Sequence, residues 1–357
     1  MRRKEISRSL ARLQAVRRFV RGLLSTIKHW QNPEEDEIGA KDRLKQLLIK
    51  FGARGLAPIL APIITYMAGT GIGTNQCLRS GSLPMPVHFH SPVPDLEDLE
   101  RRKIWDQRSK LAGIDFRPDA QVALLLKLGQ EFGKECDWSP NPSGDPYKFY
   151  TENCSFSFGC AAATHCILRH FKPRRLIEVG SGNSSLVISN ALSLNTQESE
   201  YIIVDPYPRS IIENGLPALT RLVKERVELL DVNFFDRLGE HDVLFIDSGH
   251  VVRIGGDVNY LILDVLPRLA RGVIVHFHDI GLPYEYPKIY ATNPQFRVFW
   301  TEAYLLQAFL SLNRDFEILL ALNYLMSERQ EVFRASFPLY SPVKHRINSG
   351  SFWIRRK

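Results

Sequence analysis

From Ser155 onward, short and almost entirely apolar segments alternate with longer segments of helical periodicity. The apolar segments predict strands over residues 176–179, 201–204, 227–230, 243–246, 273–277 and 317–322. The remaining segments predict helices over residues 156–171, 184–194, 211–223, 257–269 and 301–312. Strands that are apolar on both faces are typical of a parallel sheet covered on both sides. The alternation therefore predicts a doubly wound α/β domain, which we place at residues 147–357.

Composition and charge narrow the function classes. The chain has 357 residues, 44% of them hydrophobic and 24% charged, which excludes wholesale disorder. It contains no run of 18 or more apolar residues, so no membrane-spanning helix is predicted. Residues 1–33 carry nine Lys and Arg side chains against one acid, an excess of +8 in a chain of net charge +7. The rest of the chain thus has a net charge of −1, which gives no support for a nucleic-acid-binding surface there.

The basic excess coincides with a helical pattern over residues 4–30, in which apolar residues recur every three or four positions. A basic amphipathic helix of this kind binds anionic membrane surfaces or packs on a partner helix. We therefore expect residues 1–30 to contact either a membrane surface or a partner chain. A second copy of this chain is one candidate for that partner.

Two further regions precede the α/β domain. The apolar run at residues 56–68 contains Pro58 and Pro62 and is too short and too broken to span a bilayer as a continuous helix. We predict a loop packed on the main domain, with a shallow membrane insertion as the alternative. The N-terminal helical extension is placed at residues 1–80, and a proline-rich linker with helices at residues 81–146.

The five cysteines form no CxxC pair, which is typical of free thiols in a reducing compartment. The basic start is not followed by the compact apolar core of a secretory leader. We therefore expect a cytoplasmic protein, or one bound peripherally at the inner face of the membrane.

A glycine turn follows the first predicted strand. Gly180 and Gly182 allow the backbone to bend sharply and to approach a ligand beside the N-terminus of the next helix, with Ser181 between them. Glu178 stands directly before the turn, where a carboxylate suits a ligand that presents an ammonium group and repels a pyrophosphate.

The next two predicted strands end in acids as well. Asp205 stands where a carboxylate can accept both hydroxyls of a ribose, and Asp231 stands where a side chain can reach an adenine edge. An ammonium group, a ribose and a purine together describe S-adenosylmethionine (SAM), which we predict as the cofactor. Caps of helices and turns are the structural alternative for each acid, but three successive acids beside a glycine turn favour the ligand.

The fourth and fifth predicted strands end in a second group of polar residues, Asp247, His250, His278 and Asp279. Adjacent parallel strands bring such residues to the same edge of the sheet, where ligands bind. Carboxylates with an imidazole can hold a divalent ion, and a remaining imidazole can take a proton from a hydroxyl. His276 lies deeper in its strand and is expected to be structural.

Long segments of the chain resemble the class I SAM-dependent methyltransferases, and more closely a bacterial methyltransferase-domain family. The shared segments are FKPRRLIEVGSG (171–182), VLFIDSGH (243–250), DVNYLILDVLPRLARGVIVHFHDI (257–280), YEYP (284–287), AYLLQAFL (303–310) and SFWI (351–354). The resemblance implies a Rossmann-like sheet of seven strands with the last one antiparallel. Residues 352–354 are the candidate for that strand, paired with residues 317–322.

The pattern at the fourth and fifth strand ends is also similar to the metal-dependent sugar O-methyltransferases of macrolide biosynthesis. This resemblance implies that Asp247, His278 and Asp279 hold magnesium or a similar divalent ion and that His250 is the base. His278 departs from those enzymes, which have a glutamate there. Ser184 replaces the third glycine of the commonest SAM loop. A serine can still cap the helix that begins there, so Ser184 is counted among the residues expected to bind the cofactor.

The sequence therefore predicts a SAM-dependent methyltransferase that acts on a hydroxyl of a polar small molecule or of a sugar or glycan. Tyr284, Tyr286 and Tyr290 are expected to line the acceptor side. One alternative is an NAD(P)-dependent oxidoreductase, although Glu178 and the serine at position 185 count against it. The other is a non-catalytic protein of the same fold, tethered through its basic arm.

Overall fold

The computed structural model describes residues 40–293, 297–341 and 349–357. The chain divides into two compact units, Met1–Asp95 and Leu96–Lys357. The predicted basic helix over residues 4–30 lies outside the described residues. The domain boundaries after residues 80 and 146 stay predictions.

In the N-terminal unit, two helices are described, α1 (Ala40–Thr70) and α2 (Thr74–Arg79). The predicted loop over residues 56–68 is wrong, because these residues belong to α1, with Pro58 and Pro62 inside it. The prolines are four residues apart and lie on one side of the helix. The two backbone hydrogen bonds that they cannot make are therefore missing on that side only. Residues 81–94 contain no helix or strand, as the linker prediction requires. None of the helices in the described part is long and apolar enough to cross a bilayer.

The C-terminal unit is built on a sheet of seven strands. They are β1 (Arg175–Val179), β2 (Glu200–Val204), β3 (Leu219–Val223), β4 (Val243–Ile246), β5 (Ile274–Phe277), β6 (Phe316–Ala321) and β7 (Phe352–Arg356). Their order is β3-β2-β1-β4-β5-β7-β6. The first five strands pair in parallel, and β7 is antiparallel to both β5 and β6. The predicted seven-stranded doubly wound fold is therefore confirmed.

Helices flank this sheet. They are α3 (Leu96–Arg101), α4 (Pro118–Phe132), α5 (Phe158–Phe171), α6 (Asn183–Ser193), α7 (Ser210–Glu213), α8 (Asp257–Asn259), α9 (Lys288–Thr292), α10 (Glu302–Leu310), α11 (Leu322–Glu328) and α12 (Gln330–Ser336). A π turn over Tyr260–Val265 continues α8, and a 3-10 turn over Leu266–Arg268 follows. α5 packs on α6, while α4 packs on α12 and β6.

The third strand differs from the prediction. Residues 219–223 were expected in a helix but form β3, and the apolar segment expected as the strand forms only a 3-10 turn, Val227–Leu229. β3 is the edge strand, and the exposed side chains of Thr220 and Arg221 hide the apolar signature that buried strands have.

The central strands are buried on both faces. Every residue of β4 and β5 is buried, and His276 in β5 stacks on Phe245 in β4 with ring centroids 3.8 Å apart. The Nε2 atom of His276 hydrogen-bonds the hydroxyl of Ser351 (2.8 Å). Burial lowers the pKa of His276 well below its ordinary value, so this histidine is a neutral structural residue, as expected.

Candidate active site

The turn after β1 is fixed by its contact with the end of β4. Gly180 has a left-handed backbone (φ +80°), and a Cβ on it would lie 1.8 Å from the carbonyl oxygen of Asp247. Glycine is required here, because the space is filled and L residues rarely adopt this conformation. The Gly180 amide also donates to the carbonyl of Val204 at the end of β2 (2.9 Å). The turn therefore lies between the carboxyl ends of β2 and β4.

Gly182 faces open space. No described atom lies within 4 Å of the position that a Cβ on Gly182 would take. α6 begins at the next residue, Asn183, so its first amides are free of helical partners. A glycine next to open space and to unpaired amides fits a ligand that approaches the backbone closely, as predicted for SAM.

The carboxyl group of Glu178 lies beneath the turn, which corrects the prediction that it contacts an ammonium group. Glu178 is fully buried, and its oxygens accept hydrogen bonds from the hydroxyls of Ser184 (2.7 Å), Ser185 (2.9 Å) and Tyr201. Burial raises the pKa of Glu178 to about 8, against the opposing effect of these three donors. Since this pKa lies above 7, the group is largely neutral at pH 7 and cannot hold an ammonium group by charge.

Ser184 is also corrected. Its hydroxyl donates to Glu178 inside the protein, and the residue is buried. The hydroxyl that meets the start of α6 belongs to Ser185, which accepts a hydrogen bond from the Gly182 amide (3.1 Å). Ser184 therefore supports the turn from below, and neither caps the helix nor faces the open space.

Asp205 lies at the end of β2, where it was predicted, and holds the turn. Its Oδ2 atom accepts hydrogen bonds from the amide (2.9 Å) and the hydroxyl (2.6 Å) of Ser181, and its Oδ1 atom accepts one from the amide of Tyr207 (2.8 Å). A serine hydroxyl can rotate away, which would leave that carboxylate position to a ribose hydroxyl.

Asp231 does not end a strand, because β3 ends eight residues earlier at Val223. It instead begins the 3-10 turn Val232–Phe235, where its Oδ1 atom accepts a hydrogen bond from the amide of Asn233 (2.9 Å). The side chain is exposed, and its contact with an adenine stays a prediction.

The second group of predicted residues does come together. Asp247 and His250 follow β4, and His278 and Asp279 follow β5. His278 Nδ1 lies 3.4 Å from Asp247 Oδ1 and 3.3 Å from Asp279 Oδ2. His250 Nε2 lies 3.4 Å from Asp247 Oδ1 and 3.7 Å from Asp279 Oδ2. The two imidazoles therefore share two carboxylates, and the cluster borders the glycine turn through the Asp247 backbone.

Glu302, the first residue of α10, is a member of this cluster that sequence reasoning missed. Its Oε2 atom lies 2.8 Å from His250 Nδ1, and the residue is 1% exposed. The amides of Thr301 and Glu302 donate to the carbonyl of His250 (2.9 and 3.1 Å). The start of α10 therefore holds both the ring and the backbone of His250, and leaves Nε2 directed at Asp247 and Asp279. An acid at a helix N-terminus is an ordinary feature, so the sequence contains no local signal for this pairing.

The backbone is strained at both strand ends. His250 (φ +55°) and Asp279 (φ +57°) are left-handed, which costs a non-glycine residue about 1–2 kcal/mol. The segment before β7 fixes Asp279, because a Cβ on Gly350 would lie 2.6 Å from the Cα of Asp279. The amide of Ile280 donates to the Gly350 carbonyl (2.8 Å).

The carboxylates determine the charge of both imidazoles. Burial alone would lower the pKa of His250, but Asp247 and Glu302 outweigh burial and raise it to about 10. Burial is likewise outweighed at His278, where Asp247 and Asp279 raise the pKa well above its ordinary value. The imidazoles in turn hold the pKa of Asp247 well below its usual range, although burial acts in the opposite direction. The carboxylates therefore favour the protonated form of both imidazoles.

This arrangement does not fit the predicted divalent ion. Across residues 40–293, 297–341 and 349–357, no group of three or more His, Cys, Asp and Glu side chains is placed to hold a metal. His278 Nδ1 and His250 Nε2 each lie 3.4 Å from the same Asp247 oxygen, and a metal would have to displace the protons that this pairing favours. The prediction that Asp247, His278 and Asp279 are metal ligands is thus not supported.

Aromatic side chains lie beside His250. The ring of Trp300 has its centroid 4.5 Å from that of His250, and Tyr290 packs on Trp300 at 4.7 Å. Tyr286 is also near Trp300, at 6.0 Å between centroids. Tyr284, which was expected here, instead donates its hydroxyl hydrogen to Glu328 (2.8 Å). Tyr290 and Trp300 are half-buried and form one wall beside the cluster.

Three comparisons with known proteins report what this chain is similar to. A family model described as a methyltransferase domain matches residues 177–280. An uncharacterized protein of Archaeoglobus fulgidus is 28% identical over 172 residues, which cover 45% of this chain and 76% of that protein. The solved structures that the chain matches include the SAH-bound methyltransferase PaMTH1 of Podospora anserina, at 17% identity and a TM-score of 0.37, covering 75% of this chain and 99% of that one. The plantazolicin methyltransferase BpumL in complex with SAH is 11% identical with a TM-score of 0.35, covering 66% of this chain and 99% of that one.

The region matched by the family model begins in β1 and ends just after β5. It therefore contains the glycine turn, Asp205 and the His250 cluster except for Glu302. The seven strands, with β7 antiparallel and paired with β6, are what the sequence resemblance implies. The part of the chain that contains these residues, 177–280, is thus similar to a methyltransferase domain.

Proposed function

We propose that this SAM-dependent methyltransferase transfers the methyl group to a hydroxyl of a polar acceptor, either a small molecule or a sugar of a glycan, and that His250 is the general base. The observation that carries the proposal is the pairing of His250 with buried Glu302 at 2.8 Å. A carboxylate on Nδ1 fixes the orientation of the ring and leaves Nε2 as the atom that exchanges a proton.

The donor is proposed to bind along the turn between β1 and β2. Open space lies beside Gly182, and the carboxylate of Asp205 lies next to it on Ser181. We assign Asp205 to the ribose hydroxyls, Gly180, Ser181 and Gly182 to backbone contacts with the donor, and Asp231 to the adenine side. When bound, SAM supplies a methyl group on a sulfonium, which is already a good leaving group.

The protein must therefore place the acceptor oxygen in line with the methyl carbon and remove its proton. An oxygen–carbon bond forms as the carbon–sulfur bond breaks, and the hydroxyl proton passes to His250 Nε2. The bonding pair leaves on sulfur, which gives S-adenosylhomocysteine. Because the pKa of His250 is raised to about 10, the neutral form of this base is a minor species at pH 7 and increases as the pH rises.

The acceptor class rests on the aromatic wall and the charges around it. Half-buried Trp300 and Tyr290 present ring surface beside His250, which suits a sugar ring. The carboxylates of Asp247 and Asp279 can accept hydrogen bonds from further hydroxyl groups. All five cysteines are free thiols, which supports the proposed cytoplasmic location.

The test is a methyl-transfer assay with the full chain, SAM and a panel of mono- and oligosaccharides, read by mass spectrometry of S-adenosylhomocysteine and of the acceptor. In a His250→Ala variant, we expect SAM to bind as in the wild type by calorimetry, while turnover falls about 10²–10⁴-fold. His241→Ala is the matched control, because His241 is exposed, lies at the opposite end of β4 and is also left-handed (φ +68°). Unchanged turnover in His250→Ala, or a methyl group found on nitrogen or carbon, would contradict the proposal.

A further inference from the structure

The second half of α1 is an uncharged helix with two unlike faces. No Lys, Arg, Asp or Glu occurs in residues 55–78. At 3.6 residues per turn, the bulky apolar side chains of residues 56–67 fall within an arc of about 160°. They are Leu56, Ile59, Leu60, Ile63, Ile64, Tyr66 and Met67.

This bulky face is open to solvent. Ile59 is 64% exposed, Ile63 53% and Tyr66 59%. Ile64 (51%) and Leu60 (38%) are exposed as well. Isolated exposed apolar residues are ordinary, but five on one helix face form a contiguous patch, and such patches mark contact sites.

The opposite face carries small residues and both prolines. It consists of Ala57, Pro58, Ala61, Pro62 and Thr65. A proline has no amide hydrogen for the carbonyl four residues earlier, so the carbonyls of Arg54 and Pro58 lack that helical partner. Those carbonyls lie on the proline side of the helix, where water can satisfy them. The helix is thus suited to lie with one face in an apolar phase and the other in water.

Basic residues flank the uncharged segment. Residues 41–54 contain five Lys and Arg side chains against one acid, and Arg79 follows at the other end. Residues 1–33 add an excess of +8. This distribution complements an anionic lipid surface, to which each nearby basic side chain adds attraction.

We propose that the second half of α1 docks in the plane of an anionic membrane surface, with its bulky face at the boundary of the acyl chains. A membrane covers the whole arc, which is wider than the seam that one partner helix covers in a coiled coil. The segment also has no charged residues beside the apolar face, and such residues commonly set the pairing of a helix with a partner helix. Docking of this kind would hold the methyltransferase domain close to acceptors at that surface.

The test is co-sedimentation of the full chain with phosphatidylcholine vesicles, with and without phosphatidylglycerol. We expect binding that requires phosphatidylglycerol. Ile63→Glu places a charge on the bulky face and should lower the partition coefficient about tenfold or more. Thr65→Glu adds the same charge on the opposite face of the same helix and should lower the partition coefficient by no more than about fivefold, which is the effect of one charge near the surface.

Circular dichroism and thermal unfolding check that both variants fold like the wild type, and light scattering follows the oligomeric state. Loss of vesicle binding in Ile63→Glu alone, without a change in oligomeric state, supports the proposal. It is overturned if the wild type does not bind the anionic vesicles, or if the two variants bind them equally. A change of oligomeric state in Ile63→Glu with vesicle binding intact also overturns it, and assigns the face to a second copy of the chain.

Discussion

The two sides of the crevice differ in how their polar groups are satisfied. On the side of β1 and β2, the carboxyl groups of Glu178 and Asp205 each accept three hydrogen bonds from nearby hydroxyls or amides. On the side of β4 and β5, the buried atoms without a hydrogen-bond partner among the described residues include His278 Nε2, Ser248 Oγ and Glu302 Oε1. The left-handed residues His250 and Asp279 lie on this second side.

This difference separates a binding scaffold from a reaction site. A turn whose acidic side chains are fully hydrogen-bonded keeps its shape before the donor arrives, so little ordering accompanies binding. Buried polar atoms without partners and strained backbone are costly, and they persist in proteins mainly where function uses them. We therefore interpret the β1–β2 side as the part that positions SAM, and the β4–β5 side as the part that acts on the acceptor.

The largest effect expected on the scaffold side is that of Gly180→Ala. The new Cβ would meet the Asp247 carbonyl at 1.8 Å and force a left-handed alanine. We expect a loss of about 3 kcal/mol in the free energy of unfolding, which lowers the Tm by roughly 6–12 °C. Thermal unfolding of the purified chain measures this.

Gly182→Ala is the matched control, because its Cβ meets no described atom within 4 Å. We expect its Tm to stay within about 2 °C of the wild type, while SAM affinity falls by about tenfold, since the methyl group enters the space assigned to the donor. SAM affinity equal to the wild type would place the donor elsewhere, and a stable Gly180→Ala protein would refute the close contact between the turn and β4.

The sequence predicted which residues lie at the strand ends better than it predicted the contacts of their side chains. Gly180, Asp205, His250 and Asp279 were all placed correctly, because each follows an apolar strand and parallel strands bring such residues to one edge. Glu302 escaped prediction, since its partner lies in a distant segment and nothing near it in sequence marks the pairing.

The sequence also did not predict the hydrogen-bond partners of a residue whose position it predicted. Glu178 was recognised as an acid at a strand end, but the three hydroxyls that enclose it come from two other elements. Unless these hydroxyls are known, the local sequence does not distinguish a buried neutral carboxyl group from an exposed one that binds an ammonium group. The edge strand β3 was missed for a related reason, because solvent exposure removes the apolar pattern that identifies a buried strand.

A second prediction concerns the charge of Glu178. Its pKa is about 8 in the folded protein against an ordinary 4.5, so the folded state binds a proton that the unfolded state has released. This contribution to stability is full below pH 4.5 and is lost progressively as the pH rises from there through 8. The wild type should lose about 2–3 kcal/mol between pH 6 and pH 9 from this group.

Glu178→Gln isolates that contribution, because the amide is neutral at every pH. Urea unfolding at pH 6 and at pH 9 should give a smaller pH dependence for Glu178→Gln than for the wild type by about 2–3 kcal/mol. The same pH dependence in both proteins would mean that Glu178 is ionised throughout, and would return it to the set of residues able to hold an ammonium group.

The central claim is that Glu302 holds His250 as the base, and the pH dependence of methyl transfer tests it most directly. With saturating SAM and acceptor, turnover of the wild type should rise about tenfold per pH unit between pH 7 and pH 9, because the pKa of His250 is raised to about 10. In Glu302→Gln, the rise should begin at lower pH, since the charge of Glu302 contributes to that raised pKa. A flat profile for the wild type, or an identical profile for the two proteins, would contradict the account.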